Sequence, residues 1–70
     1  MLKLTINGKQ REFDAGQMPP TLALLLDELQ INHATIVAEI DGGIIKRQDF
    51  DDTKLSSGQR IELVRFVGGG

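Results

Sequence analysis

The chain has 70 residues, 40% of them hydrophobic and 26% charged, enough for one small globular core and too few for a second. Eight Lys and Arg against ten Asp and Glu leave a formal charge of −2, which gives phosphate backbones no electrostatic hold. Three Phe are the sole aromatics, a poor stacking surface for single-stranded nucleic acid, and the absence of cysteine excludes disulfides, thiolate metal sites, iron–sulfur clusters and cysteine nucleophiles together.

Leu2, Leu4 and Ile6 alternate with Lys3, Thr5 and Asn7, the period of a strand with one buried face. Asn7-Gly8 tolerates the positive φ of a tight hairpin turn. Residues 10–14 therefore read as the returning strand, with Phe13 as its inward anchor and Ala15-Gly16-Gln17 closing it. Pro19-Pro20-Thr21 sets up a helix, because the prolines bar an earlier start and the Thr21 hydroxyl can cap the first turn. Leu22, Leu25, Leu26 and Leu29 fall at i, i+3, i+4 and i+7, a single apolar stripe, with Asp27 and Glu28 on the far side. Those carboxylates lie late in the helix, where the macrodipole disfavours them. Packing rather than propensity must then hold a helix expected to end near residues 30–32.

Residues 36–40 are largely β-branched and apolar, interrupted by Glu39, and Asp41-Gly42-Gly43 follows as a turn into a short strand at Ile44-Ile45. Residues 46–54 read as a polar surface loop pinned by the ring of Phe50. Ser56-Ser57-Gly58 is a further turn, residues 60–67 form the last strand, and the chain runs out in Gly68-Gly69-Gly70. One helix can cover only one face of such a sheet, which fits strands with one wet face. A first hairpin, a crossing helix and a final strand returning to the middle of the sheet describe an α+β, β-grasp (ubiquitin-like) domain. It has a mixed sheet of four to five strands over residues 1–67 and a flexible glycine arm over residues 68–70. The longest apolar run, residues 22–26, is far short of the ~20 residues of a membrane span. Met1-Leu2-Lys3 leads straight into the first strand without a signal-peptide pattern, so the expectation is a cytoplasmic protein that binds neither membrane nor nucleic acid.

Three glycines in a row form neither strand nor helix of any stability, since ordering them loses the most backbone entropy. Extended, they reach ~10 Å past the last strand, a thin arm with a carboxylate at Gly70. A carboxylate is a poor electrophile until an ATP-using enzyme converts it to an acyl-adenylate. A partner that threads the arm through a narrow channel would require glycine at Gly69 and Gly70, because a Cβ there would widen it. The carrier itself then needs no catalytic residue, no metal and no bound cofactor. On the last strand Ile61 and Leu63 are expected to face the helix, leaving Val64 and Phe66 to alternate onto the open face. With Val67 they form the expected partner-docking patch beside the arm.

The whole chain resembles the ThiS family, the sulfur carriers of thiamine biosynthesis. The resemblance rests on several pieces in order. They are the opening strand with Gly8, Ala15-Gly16-Gln17 before the helix, Leu25-Leu26 within it, Ile36-Val37-Ala38 leading to Asp41-Gly42, Ile45 with Arg47 and Phe50, Leu55 before Gly58, and Ile61-Glu62-Leu63 running to Val67-Gly68-Gly69-Gly70. Ser57-Gly58-Gln59 and Lys46 depart from the family's pattern, both at turns away from the arm. The resemblance implies a cycle in which an E1-like enzyme adenylates Gly70 using ATP and magnesium, and sulfur from a donor such as a cysteine desulfurase replaces AMP. The resulting thiocarboxylate serves a thiazole synthase. A chain without cysteine must draw that sulfur from outside. A molybdopterin-synthase-type small subunit, a ubiquitin-like modifier and a passive β-grasp interaction module share much of the same pattern.

Other candidates carry less. His33 is a lone histidine after a helix. Asp49, Asp51 and Asp52 lack the loop spacing and closing Glu of a calcium site, Gly42-Gly43 lacks the Lys-Ser/Thr of a phosphate loop, and Asp27-Glu28 is a helix surface pair.

Overall fold

The computed structural model describes residues 1–66. Five strands, β1 (Leu2–Ile6), β2 (Lys9–Phe13), β3 (Ile36–Ile40), β4 (Gly43–Ile45) and β5 (Arg60–Arg65), and one helix, α1 (Leu22–Glu28), follow in the order β1-β2-α1-β3-β4-β5. They make a single sheet of order β2-β1-β5-β3-β4. The last strand is central, parallel to β1 through Thr5↔Arg60 and Ile6↔Ile61 and antiparallel to β3 from Ile36↔Arg65 to Ile40↔Ile61. This is the β-grasp arrangement expected from the element order.

Both hairpins turn on two residues of positive φ, as type I′ turns require. Asn7 (φ 50°) and Gly8 (φ 82°) join β1 to β2, and Asp41 (φ 50°) and Gly42 (φ 87°) join β3 to β4. Gly43 therefore belongs to β4 rather than to the turn. The registers place Leu4 and Ile6 of β1, Ala38 of β3 and Ile61 and Leu63 of β5 on one face, where all five are buried against α1 and Phe50. Phe13 is buried on the same side, the inward anchor of β2.

The helix is short, and its ends explain how it persists. At the N-terminus the Leu24 N–H donates to Thr21 Oγ1 at 3.2 Å. The Leu22 and Ala23 N–H groups donate to the carbonyls of Thr53 (2.9 Å) and Phe50 (3.1 Å). The 46–54 segment thus supplies acceptors for helix donors that otherwise lack partners, and Phe50, 2% exposed, fixes it to the core. At the C-terminus Gln30 adopts φ 59°. Its N–H donates to the Asp27 carbonyl at 3.0 Å, and that of Ile31 to the Leu26 carbonyl at 2.9 Å. This is a Schellman ending, and it stops α1 just short of residues 30–32.

Candidate functional site

Two turns grip β5, the strand that leads toward the glycines. On the β1 side the Leu63 N–H donates to Asn7 Oδ1 at 2.7 Å and Asn7 Nδ2 donates to the Leu63 carbonyl at 3.2 Å. The side-chain amide thus stands in for one more peptide unit of the parallel ladder. On the β3 side the Arg60 N–H donates to Asp41 Oδ1 at 2.9 Å, and the Asp41 N–H donates to the Arg60 carbonyl at 2.8 Å. The Phe66 N–H then donates to the Thr35 carbonyl at 3.1 Å, one bond past the end of β5. The direction in which the chain leaves the sheet is therefore set by its most heavily paired strand.

The face of the sheet away from α1 is apolar around β5. Val64 is 54% exposed, its cross-strand partner Val37 39%, Ile44 on β4 70%, and Phe66 47%. In an antiparallel ladder directly opposed residues share a face, so Val37 and Val64 form one exposed pair. Ile44, opposite Glu39, lies diagonally beside it. Ile61 and Leu63 face the helix and Val64 and Phe66 are exposed, as the alternation along the last strand predicts. Val37 and Ile44 belong to the same surface and come from strands that the sequence reading did not connect with it. Their signal was present, since Val37 sits between buried Ile36 and Ala38 and Ile44 one residue out of phase with partly buried Ile45.

Acidic groups border the patch. Glu39 and Glu62 lie directly opposite each other across β3 and β5 on the open face, and among the described residues neither has a basic group within salt-bridge distance. Val67 and the arm Gly68, Gly69 and Gly70 lie outside the described residues. His33 Nε2 sits 2.9 Å from Asp27 Oδ1, and its ring meets Phe50 edge-on at a centroid distance of 5.8 Å. The histidine thus ties the helix end to the 46–54 segment. Asp49 and Asp52 line an open groove beside Ile44, Ile45, Lys46 and Thr53. Among the described residues no three His, Asp or Glu side chains converge as metal ligands would.

The ThiS family model matches residues 4–70. The chain is 33% identical to the thiamine biosynthesis protein ThiS of Geobacter metallireducens. It superposes on that protein's crystal structure with a TM-score of 0.81 over 99% of this chain and 100% of the other. For the solution structure of a thiamine biosynthesis protein from the same organism the TM-score is 0.77, at 33% identity, over 99% of this chain and 88% of the other. A thiazole synthase of Paramagnetospirillum magneticum is 32% identical over 69 residues, which make up 99% of this chain and only 20% of that protein. The uncharacterized protein ycf40 of Porphyra purpurea is 29% identical over 69 residues, 99% of this chain and 93% of that one. With the sheet order, the single helix and the family pattern in agreement from residue 4 to residue 70, the chain belongs to the ThiS family.

Proposed function

We propose that this chain is a sulfur carrier of thiamine biosynthesis and acts as the protein substrate of partner enzymes rather than as a catalyst. The carrying observation is the match to the ThiS family, which extends through the glycines to residue 70. An E1-like enzyme joins the Gly70 carboxylate to the α-phosphate of ATP with magnesium, releasing pyrophosphate. Sulfur from a donor such as a cysteine desulfurase then displaces AMP and leaves a thiocarboxylate. The thiocarboxylate carries its negative charge largely on a polarizable sulfur and is a good nucleophile toward the acceptor on a thiazole synthase. That partner is supported by a thiazole synthase that carries, over a fifth of its length, sequence like this chain.

The exposed pair Val37 and Val64, with Ile44 and Phe66, is the docking surface in this reading. It presents contiguous apolar area on the strand that leads to the arm, where a partner must bind to take up the glycines. Val67 and the arm Gly68 and Gly69 are the further residues that the partner takes up in this reading. Among the described residues no helix is long and apolar enough to cross a membrane, and we place this cycle in the cytoplasm.

The test is intact mass after incubation with the activating enzyme, ATP, magnesium and a sulfur donor. Exchange of one oxygen for sulfur at Gly70 is the expected result. A mass that never changes would overturn the reading, and so would a native C-terminal peptide that runs on past Gly70.

A further inference from the structure

Asn7 and Gly8 carry chemistry that the carrier cycle leaves unused. The Gly8 nitrogen has no adjacent Cβ to shield it. The turn is open, since a Cβ built at Gly8 would meet nothing within 4 Å. In such a pair the nitrogen can reach the side-chain carbonyl carbon of the preceding asparagine, and water has access to the product. The asparagine amide is nevertheless committed elsewhere, with both of its polar atoms bonded to Leu63, at 2.7 and 3.2 Å.

We propose that Asn7 is a latent deamidation site whose reaction the native fold suppresses by holding the side-chain amide on the backbone of Leu63. In the reaction the Gly8 nitrogen bonds to Asn7 Cγ, the Cγ–Nδ2 bond breaks, and ammonia leaves with the proton of the Gly8 amide. Water then opens the cyclic imide. Cleavage between Cγ and the Gly8 nitrogen gives aspartate. Cleavage between the main-chain carbonyl carbon of residue 7 and the same nitrogen gives isoaspartate, in which the chain runs through Cγ. Neither route changes any oxidation state, and water is the sole co-reactant.

Attack on Cγ requires the side chain to swing off Leu63, so both hydrogen bonds must open first. The reactive population is then set by local opening of the β1–β5 contact. Each product also damages that contact. Aspartate can still accept from the Leu63 N–H, but it has no N–H for the Leu63 carbonyl and sets a carboxylate oxygen against it. Isoaspartate lengthens the backbone of a two-residue loop whose geometry fixes the register of β1 with β2. A chain modified while unfolded therefore refolds with a looser grip on the strand that leads to the arm.

The experiment ages the full chain in native buffer and, in parallel, in concentrated urea at the same mildly alkaline pH, followed by peptide mapping and mass analysis. Aspartate and isoaspartate should accumulate at position 7 in urea. They should form at least about tenfold more slowly in the native protein, the factor given by two hydrogen bonds together worth about 1.4 kcal/mol. Gly8→Ala, compared in urea where its effect on folding is irrelevant, should slow the reaction by shielding the nitrogen. The urea-aged chain, refolded, should unfold at a lower urea midpoint than fresh protein. Equal rates in the two buffers, modification in urea at Asn32 instead of Asn7, or an unchanged midpoint after ageing would each overturn the proposal.

Discussion

Among the described residues three outside glycine, Asn7, Gln30 and Asp41, adopt positive φ, and they differ in how readable they are. Asn7 and Asp41 announce themselves, because Asn-Gly and Asp-Gly between alternating strands signal a type I′ turn. Their second role, gripping β5 across 56 and 19 residues of sequence, leaves no local trace. Gln30 gives no signal at all, since a left-handed helix terminus is usually marked by glycine. It holds that conformation against a steric penalty that Leu26 and Asp27 offset by accepting the terminal N–H groups. Gln30→Gly should therefore raise stability by about 0.5–1 kcal/mol in urea unfolding. Gly58, at φ 95°, faces the reverse situation, and Gly58→Ala should lower stability by about 1 kcal/mol or more by the same measurement.

At the scale of the element, α1 is the clearest case of structure imposed from outside. A helix of seven residues is too short to persist alone, since isolated helices need ~12–15 residues to be even marginal. It stands because Leu22, Leu25 and Leu26 are fully buried and because the 46–54 segment supplies two of its N-terminal acceptors. The apolar stripe was legible from spacing. The capping segment read only as a loop pinned by Phe50, since nothing in its composition says where its carbonyls point. Phe50→Ala should cost about 3–5 kcal/mol. That is a large share of the roughly 4–10 kcal/mol expected for 70 residues, and circular dichroism melts should show a much less stable protein. Thr21→Ala should cost about 1 kcal/mol, with Thr21→Ser recovering most of it. The Glu39–Glu62 pair works against the sheet, because like charges directly opposite are unfavourable. Glu62→Lys should stabilise by about 0.2–1 kcal/mol, and the gain should shrink as salt is added.

For the whole molecule, the order of elements carried the fold. Hairpin, helix, hairpin and a last strand admit few arrangements that bury one face of each strand, and the observed sheet order is among them. The exposed apolar surface was half legible. Val64 and Phe66 follow from alternation along β5, whereas Val37 and Ile44 join them only once the registers with β3 and β4 are known. Phe66→Asp should leave the urea midpoint within the equivalent of about 0.5 kcal/mol, as a surface change does. It should also weaken complex formation with the activating enzyme about tenfold or more, as loss of a central apolar contact does, measured by titration calorimetry. Gross unfolding of that variant would mean that the ring belongs to the core. Replacement of Gly69 by Leu should leave folding intact and abolish adenylation, read as loss of pyrophosphate exchange.

The central place of β5 has a bearing on how the protein is made. Its two hairpins, β1-β2 and β3-β4, are not paired with each other and are joined in the sheet through residues 60–65. A nascent chain emerging from the ribosome can pair each hairpin within itself but cannot knit the halves together until that last strand is free. A chain broken off before Arg60 is left with two separate hairpins and no strand to join them into one sheet. Assembly of the full sheet therefore waits on residues 60–65, however early the two hairpins and the helix take shape.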